Sequence, residues 1–120
     1  MPLNDFFKYS VESAEPGQIK ALLSIDQNHD IFKGHFPGNP VTPGVTQLEI
    51  IRQILSECTQ KDLMLKEAKD LKFLAPIVPP HTDNIEVTLI YREEEGRISV
   101  RCILSRHEQV FTKIRGTFSE

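Results

Sequence analysis

The sequence predicts an α+β fold, an antiparallel sheet wrapped around one long helix. Two patterns carry that expectation. Ile85, Val87, Leu89 and Tyr91 alternate with more polar neighbours, and Ile98, Val100, Cys102 and Leu104 repeat the alternation after Glu93-Glu94-Glu95-Gly96. A period of two marks strands with one buried face. Between Pro43 and about Thr59 the period changes. At 100° per residue, Leu48, Ile50, Ile51, Ile54 and Leu55 form a broad apolar arc that only Gln47 interrupts. So wide an arc has to be enclosed by other elements.

In chain order, Phe6 to Val11 and Gln18 to Ile25 read as the first two strands, joined by a turn at Glu15-Pro16-Gly17. The helix follows. Thr42 suits an N-cap and Pro43 the first helical position, where its missing N–H costs nothing. Glu49, Gln53 and Ser56 share the side opposite the apolar arc, with Thr46 beside them. Leu71 to Phe73 reads as a short strand stopped by Pro76, Pro79 and Pro80, and the charge alternation from Glu67 to Lys72 as an exposed face. Two alternating strands come next. The last, Val110 to Phe118, follows Ser105-Arg106-His107-Glu108 and completes an antiparallel meander.

The 120 residues, 39% hydrophobic and 26% charged, are expected to form a single domain, 1–120, that would gain from oligomerisation. No apolar run approaches the roughly 20 residues of a membrane helix, and the N-terminus does not read as a signal peptide, so a cytoplasmic location is the expectation. A net charge of −3 with scattered Lys and Arg argues against a nucleic-acid partner. Cys58 and Cys102 have no metal-ligand spacing and read as ordinary thiols.

Asp26-Gln27-Asn28-His29-Asp30 begins like a calcium loop, but Ile31 stands where that loop needs Gly and Pro37 where it needs Glu. His29 and His35 lack further ligands at motif spacing, so no metal is expected. His81 and His107 fall in turns, and Glu93 to Glu95 reads as a solvated hairpin tip.

The stretch from Gly34 to Val45, GHFPGNPVTPGV, holds three prolines, three glycines and one histidine in twelve residues. Such a loop is set in one shape. By itself, His35 reads most simply as a core-edge histidine bonded to a nearby carbonyl, and Glu49 as one polar residue on a helix's polar side. Together they suggest chemistry. In an apolar surround a neutral imidazole is a competent base and a protonated carboxyl a competent acid. The free amides of the helix start at Gly44 and Val45 could receive an oxygen that becomes negative. Base, acid and oxyanion donor suit proton removal next to a carbonyl.

GHFPGNPVTPGVTQLE, Gly34 to Glu49, resembles the motif of the hot-dog-fold 3-hydroxyacyl-acyl-carrier-protein dehydratases of bacterial fatty-acid synthesis. The likeness continues through Asn28 and Phe32-Lys33-Gly34 upstream and Lys72-Phe73-Leu74-Ala75-Pro76-Ile77-Val78-Pro79 downstream. It implies a hot-dog fold and a homodimer joined sheet edge to sheet edge, with two active sites at the interface. It implies that His35 acts on the C2 proton of a 3-hydroxyacyl thioester, and that Glu49 assists loss of the C3 hydroxyl, typically from across the interface. The Gly44 N–H would bind the thioester carbonyl, Val45 would join it in holding substrate, and the neighbourhood of Val41 would orient His35. Gln53, one turn after Glu49, would support it. No cofactor is implied. The substrate would ride on an acyl carrier protein or coenzyme A. An acidic carrier protein would dock on cations such as Lys33, Arg52 and Lys72.

Thr46, Gln47 and Arg52 depart from the family's more apolar or small residues, near what is there the acyl tunnel; a polyene or other specialised lipid pathway is therefore open. Two alternatives stand beside the dehydratase: a hot-dog thioesterase, in which Glu49 would activate water, and a non-catalytic acyl-binding protein.

Overall fold

The computed structural model describes residues 6–26, 44–77 and 82–120. Within them, strands β1 (Phe7–Glu15) and β2 (Gln18–Ile25) precede helix α1 (Gly44–Thr59). Strands β3 (Met64–Phe73), β4 (Ile85–Glu94), β5 (Arg97–Arg106) and β6 (Gln109–Ser119) follow it. All six pair antiparallel in one sheet of order β1-β2-β4-β5-β6-β3. The meander of the last three strands lies at the sheet's centre, and β3 crosses over to form an edge.

The register explains the alternation. Ile19, Leu89, Cys102 and Ile114 stand opposite one another across four strands, as do Ala21, Val87, Leu104 and Thr112. Every one of these eight side chains is buried. The helix supplies the other half of the core: Ile50, Ile51, Ile54 and Leu55 are fully enclosed and belong to the same cluster as the sheet's inner rows. At about 25 cal/mol per Å² of apolar surface removed from water, this shared core of helix and sheet stabilises the fold.

Turn chemistry fixes the strand ends. Gly17, at φ 86°, takes the left-handed position between β1 and β2. Glu95 and Gly96, at φ 49° and 79°, make the two-residue turn between β4 and β5 that matches the twist of the strands. Helix α1 ends in a Schellman arrangement around Gln60 at φ 56°. There the Lys61 N–H donates to the Ser56 carbonyl at 3.1 Å and the Gln60 N–H to Glu57 at 3.3 Å. The Ser56 hydroxyl then accepts the Leu63 N–H at 3.1 Å, which turns the chain into β3.

Three sequence expectations change. Strand β1 continues to Glu15 through an irregularity between Val11 and Ser13. Strand β3 runs ten residues from Met64 rather than three from Leu71. Its pattern hid it: as an edge strand with two register shifts it is exposed along most of its length, and its charges replace alternation. Thr46 is buried, 4% exposed, rather than on the outer side with Glu49 and Ser56. The cap and first helical position expected at Thr42 and Pro43 lie outside the described residues.

Candidate active site

Of the expected catalytic, substrate-binding and supporting residues, the structure describes Gly44, Val45, Glu49 and Gln53. His35 and Val41 lie outside the described residues, as do His29, Lys33 and His81.

Gly44 and Val45 are the first described residues of helix α1. Val45 is 75% exposed. Gly44 is half-covered because the Phe73 ring of β3 lies against it; a Cβ at this position would meet Phe73 Cζ at 2.7 Å. The glycine therefore lets the Phe73 ring pack close to the helix. Phe73 and Leu74 are themselves half-exposed, so the apolar surface of β3's end continues beside the helix start.

Glu49 sits on the rim of the helix, its side chain 31% exposed, and it is not neutral. Arg52, one turn later, donates from Nε to both carboxylate oxygens at 3.1 and 2.9 Å, and from Nη2 to Oε1 at 2.7 Å. The third guanidinium nitrogen, Nη1, donates to the Leu63 carbonyl at 3.0 Å and lies 3.7 Å from the Asp62 carboxylate. Gln53 Nε2 adds a long contact to Glu49 Oε1 at 3.4 Å. The Arg52 hydrogen bonds hold the Glu49 carboxyl below its ordinary value, and this outweighs the partial burial that would raise it.

This corrects two expectations. An apolar surround was to keep Glu49 protonated as an acid; the arginine beside it keeps it ionised. Arg52 was to be a docking cation; its guanidinium is turned onto Glu49 and the Leu63 carbonyl. Lys72 lies 3.7 Å from Asp70. Sequence reading missed the Arg52 contact, although an Arg three residues after a Glu is the spacing that pairs on a helix.

Gln47, the interruption in the apolar arc, is 3% exposed and accepts a 2.6 Å hydrogen bond from the Thr112 hydroxyl on β6. Thr46, beside it, is also buried. Among the described residues no group of three His, Cys, Asp or Glu side chains could hold a metal. None of their helices is long and apolar enough to cross a membrane. Burial raises the thiol of Cys102 far above its usual range and that of Cys58 less so.

One enclosed helix clasped by a six-stranded antiparallel sheet is the architecture of a hot-dog protein. The chain belongs to the ApeI-like dehydratase family, whose model, described as ApeI dehydratase, matches residues 11–115. It is similar to the 3-hydroxyacyl-[acyl-carrier-protein] dehydratase FabZ of Magnetococcus marinus, 37% identical over 94 residues that cover 71% of this chain and 61% of that protein. FabZ of a Wolbachia species is 32% identical over 111 residues, 82% of this chain and 74% of the relative. Among solved structures, the dehydratase heterocomplex ApeI:P from Xenorhabdus doucetiae superposes with a TM-score of 0.66 at 20% identity, covering 92% of this chain and 95% of that one. A conserved protein from Pseudomonas aeruginosa gives 0.67 at 11% identity over 92% and 86%. At these identities the structural likeness speaks to the fold.

Proposed function

We propose that the protein dehydrates a 3-hydroxyacyl thioester to the trans-2-enoyl thioester. Family membership together with the Gly34–Glu49 motif carries this reading, since the motif supplies a histidine, a carboxylate and a free helix start within sixteen residues. In the reaction His35 takes the C2 proton, which the neighbouring thioester makes acidic. The Gly44 N–H receives the carbonyl oxygen as charge builds on it, with the positive end of the helix dipole behind it. Val45 borders the acyl group and Val41 helps orient His35. Glu49, steadied by Gln53, assists departure of the C3 hydroxyl as water. Each contribution is worth on the order of 10²–10³-fold.

The acyl group is carried on an acyl carrier protein or coenzyme A, in fatty-acid or related lipid or polyene synthesis. The working unit is a cytoplasmic homodimer joined through sheet edges, with Glu49 of one protomer completing the site of the other. The test is enoyl thioester formation from 3-hydroxyacyl thioesters of several chain lengths, with His35→Ala and Glu49→Gln in parallel. Turnover by the wild type, lost in both variants, establishes the reaction and its residues. A folded wild type that forms no enoyl product sinks the reading; release of free thiol would then mark a thioesterase, and an acyl group held unchanged a binding protein.

A further inference from the structure

We propose that Arg52 is a positioning residue that fixes Glu49 as an oriented carboxylate, so that Glu49 works as a hydrogen-bond acceptor for the C3 hydroxyl and not as the donor of the departing proton. The inference rests on the dehydratase reading for its consequence and on geometry alone for its cause.

The geometry is that of a strap. A guanidinium is planar and offers donors in a fixed fork, so one that meets both oxygens of a carboxylate sets its plane as well as its charge. Arg52 contacts both oxygens of Glu49 with distances between 2.7 and 3.1 Å. An arginine on an exposed helix would lose that setting as its long side chain moved. Here the far nitrogen is tied to the Leu63 carbonyl at 3.0 Å, in the segment that leads from the helix's C-terminal turn into β3. That segment is itself held by the Ser56 hydroxyl on the Leu63 N–H. The strap therefore runs from Glu49 through Arg52 to backbone eleven residues away, and the helix's terminal turn sets its far end. Among the described residues, the charged groups acting on the pair are Arg52 itself and Asp62; the Asp62 side chain is 95% exposed, and solvent screens it.

A carboxylate so held has little proton to give near pH 7, since the Arg52 hydrogen bonds lower its proton affinity. It retains lone pairs that can accept from the substrate's C3 hydroxyl and aim the C–O bond for cleavage. The proton needed to release water then comes from His35. The imidazole accepts the proton as the C2–H bond breaks, the electron pair forms the C2–C3 double bond, the C3–O bond breaks, and the imidazolium returns the proton to the leaving oxygen. One water departs and the histidine ends neutral, so the cycle closes without an external acid or base.

The test has two arms. The first needs no substrate: the Glu49 side-chain carboxyl is followed by carbon-detected NMR as pH is changed, in the wild type, Arg52→Lys and Arg52→Ala. The wild-type carboxyl is expected to titrate below the ordinary glutamate range and to rise in Arg52→Ala. A wild-type carboxyl at or above the ordinary value overturns the proposal, even if Arg52→Ala fails to fold. The second arm is kinetic. Arg52→Ala is expected to lower kcat by about 10²-fold through lost orientation while KM stays within about threefold. Arg52→Lys, which keeps charge without the fork, should regain the low titration but only part of the rate. Wild-type kcat/KM should rise with pH through the histidine and show no decline that follows Glu49. An unchanged kcat and pH profile in folded Arg52→Ala, or a decline that tracks the Glu49 titration, overturns it. If the wild type itself makes no enoyl product, the dehydratase reading fails while the NMR arm still decides the strap.

Discussion

Gln47 and Glu49 stand two positions apart on helix α1, and the protein deals with their polar groups in different ways. Gln47 points into the core, where a neutral amide meets the neutral hydroxyl of Thr112, itself fully buried, across to β6. Glu49 stays on the rim, where a charged carboxylate meets a charged arginine that is itself a quarter exposed. The difference follows from desolvation. Burying a neutral polar group is tolerable with one good partner, whereas a buried charge costs several kcal/mol before its partner repays any of it. A helix that must carry both a sealed core and a working carboxylate keeps the neutral pair inside and the ionic pair at the edge.

If the rim pair serves chemistry and the inner pair serves packing, substitutions should separate the two. The largest effect is expected at Glu49: Glu49→Gln should lower turnover by about 10²–10⁴-fold. Its chemical denaturation midpoint should show a loss below about 1 kcal/mol, as suits a partly exposed pair. Equal losses of activity and stability would break the contrast.

Next comes the inner pair. Thr112→Val takes a donor from Gln47 inside the core and should cost about 1–3 kcal/mol by denaturant unfolding. Adding Gln47→Leu should recover part of that loss, because the buried amide oxygen that Thr112 serves is then removed with it. Simple additivity in the double variant would show that the two side chains do not work as a unit.

A smaller effect separates the pairs by pH. Glu49 has a folded pKa below its ordinary 4.5, so its ion pair stabilises fully above that value. The contribution disappears as pH falls through the lower folded pKa. The stability gap between wild type and Arg52→Ala should therefore be near 1 kcal/mol or less at neutral pH and close in acid, whereas the gap for Thr112→Val should hold across the same range. Urea melts at a series of pH values would read both.

The smallest signal is in the thiols, which repeat the contrast of depth. Cys102 is fully enclosed on β5 and Cys58 only partly so on the helix. A disulfide reagent at mildly alkaline pH should modify Cys58 slowly and Cys102 only on unfolding. Rapid reaction of both would contradict the enclosure of the inner row.

The faces of the strands and the helix were legible because each residue declares its side by a period of two or 3.6, whatever lies far away. That is why Ile98 to Leu104 and Ile50 to Leu55 read correctly. Strand β3 was largely missed since an edge strand with one neighbour and register shifts needs no alternation, and Met64 to Asp70 shows none. Glu49 was found through the motif, but its charge state was misread because the apolar helix suggested desolvation while the partner lay one turn on.

By itself, then, the sequence determined the fold class, the enclosed helix, the meander and the Gly34–Glu49 motif, all of which rest on short-range pattern. Tertiary structure alone decided that Gln47 would be matched by Thr112, sixty-five residues later, and that β3 would lie beside β6 with Phe73 over Gly44. It also decided the protonation of Glu49, through a guanidinium whose far anchor exists only once the helix has ended at Gln60 and the chain has turned back. Pattern is a property of neighbours along the chain; a pKa belongs to whatever the fold brings within a few ångströms.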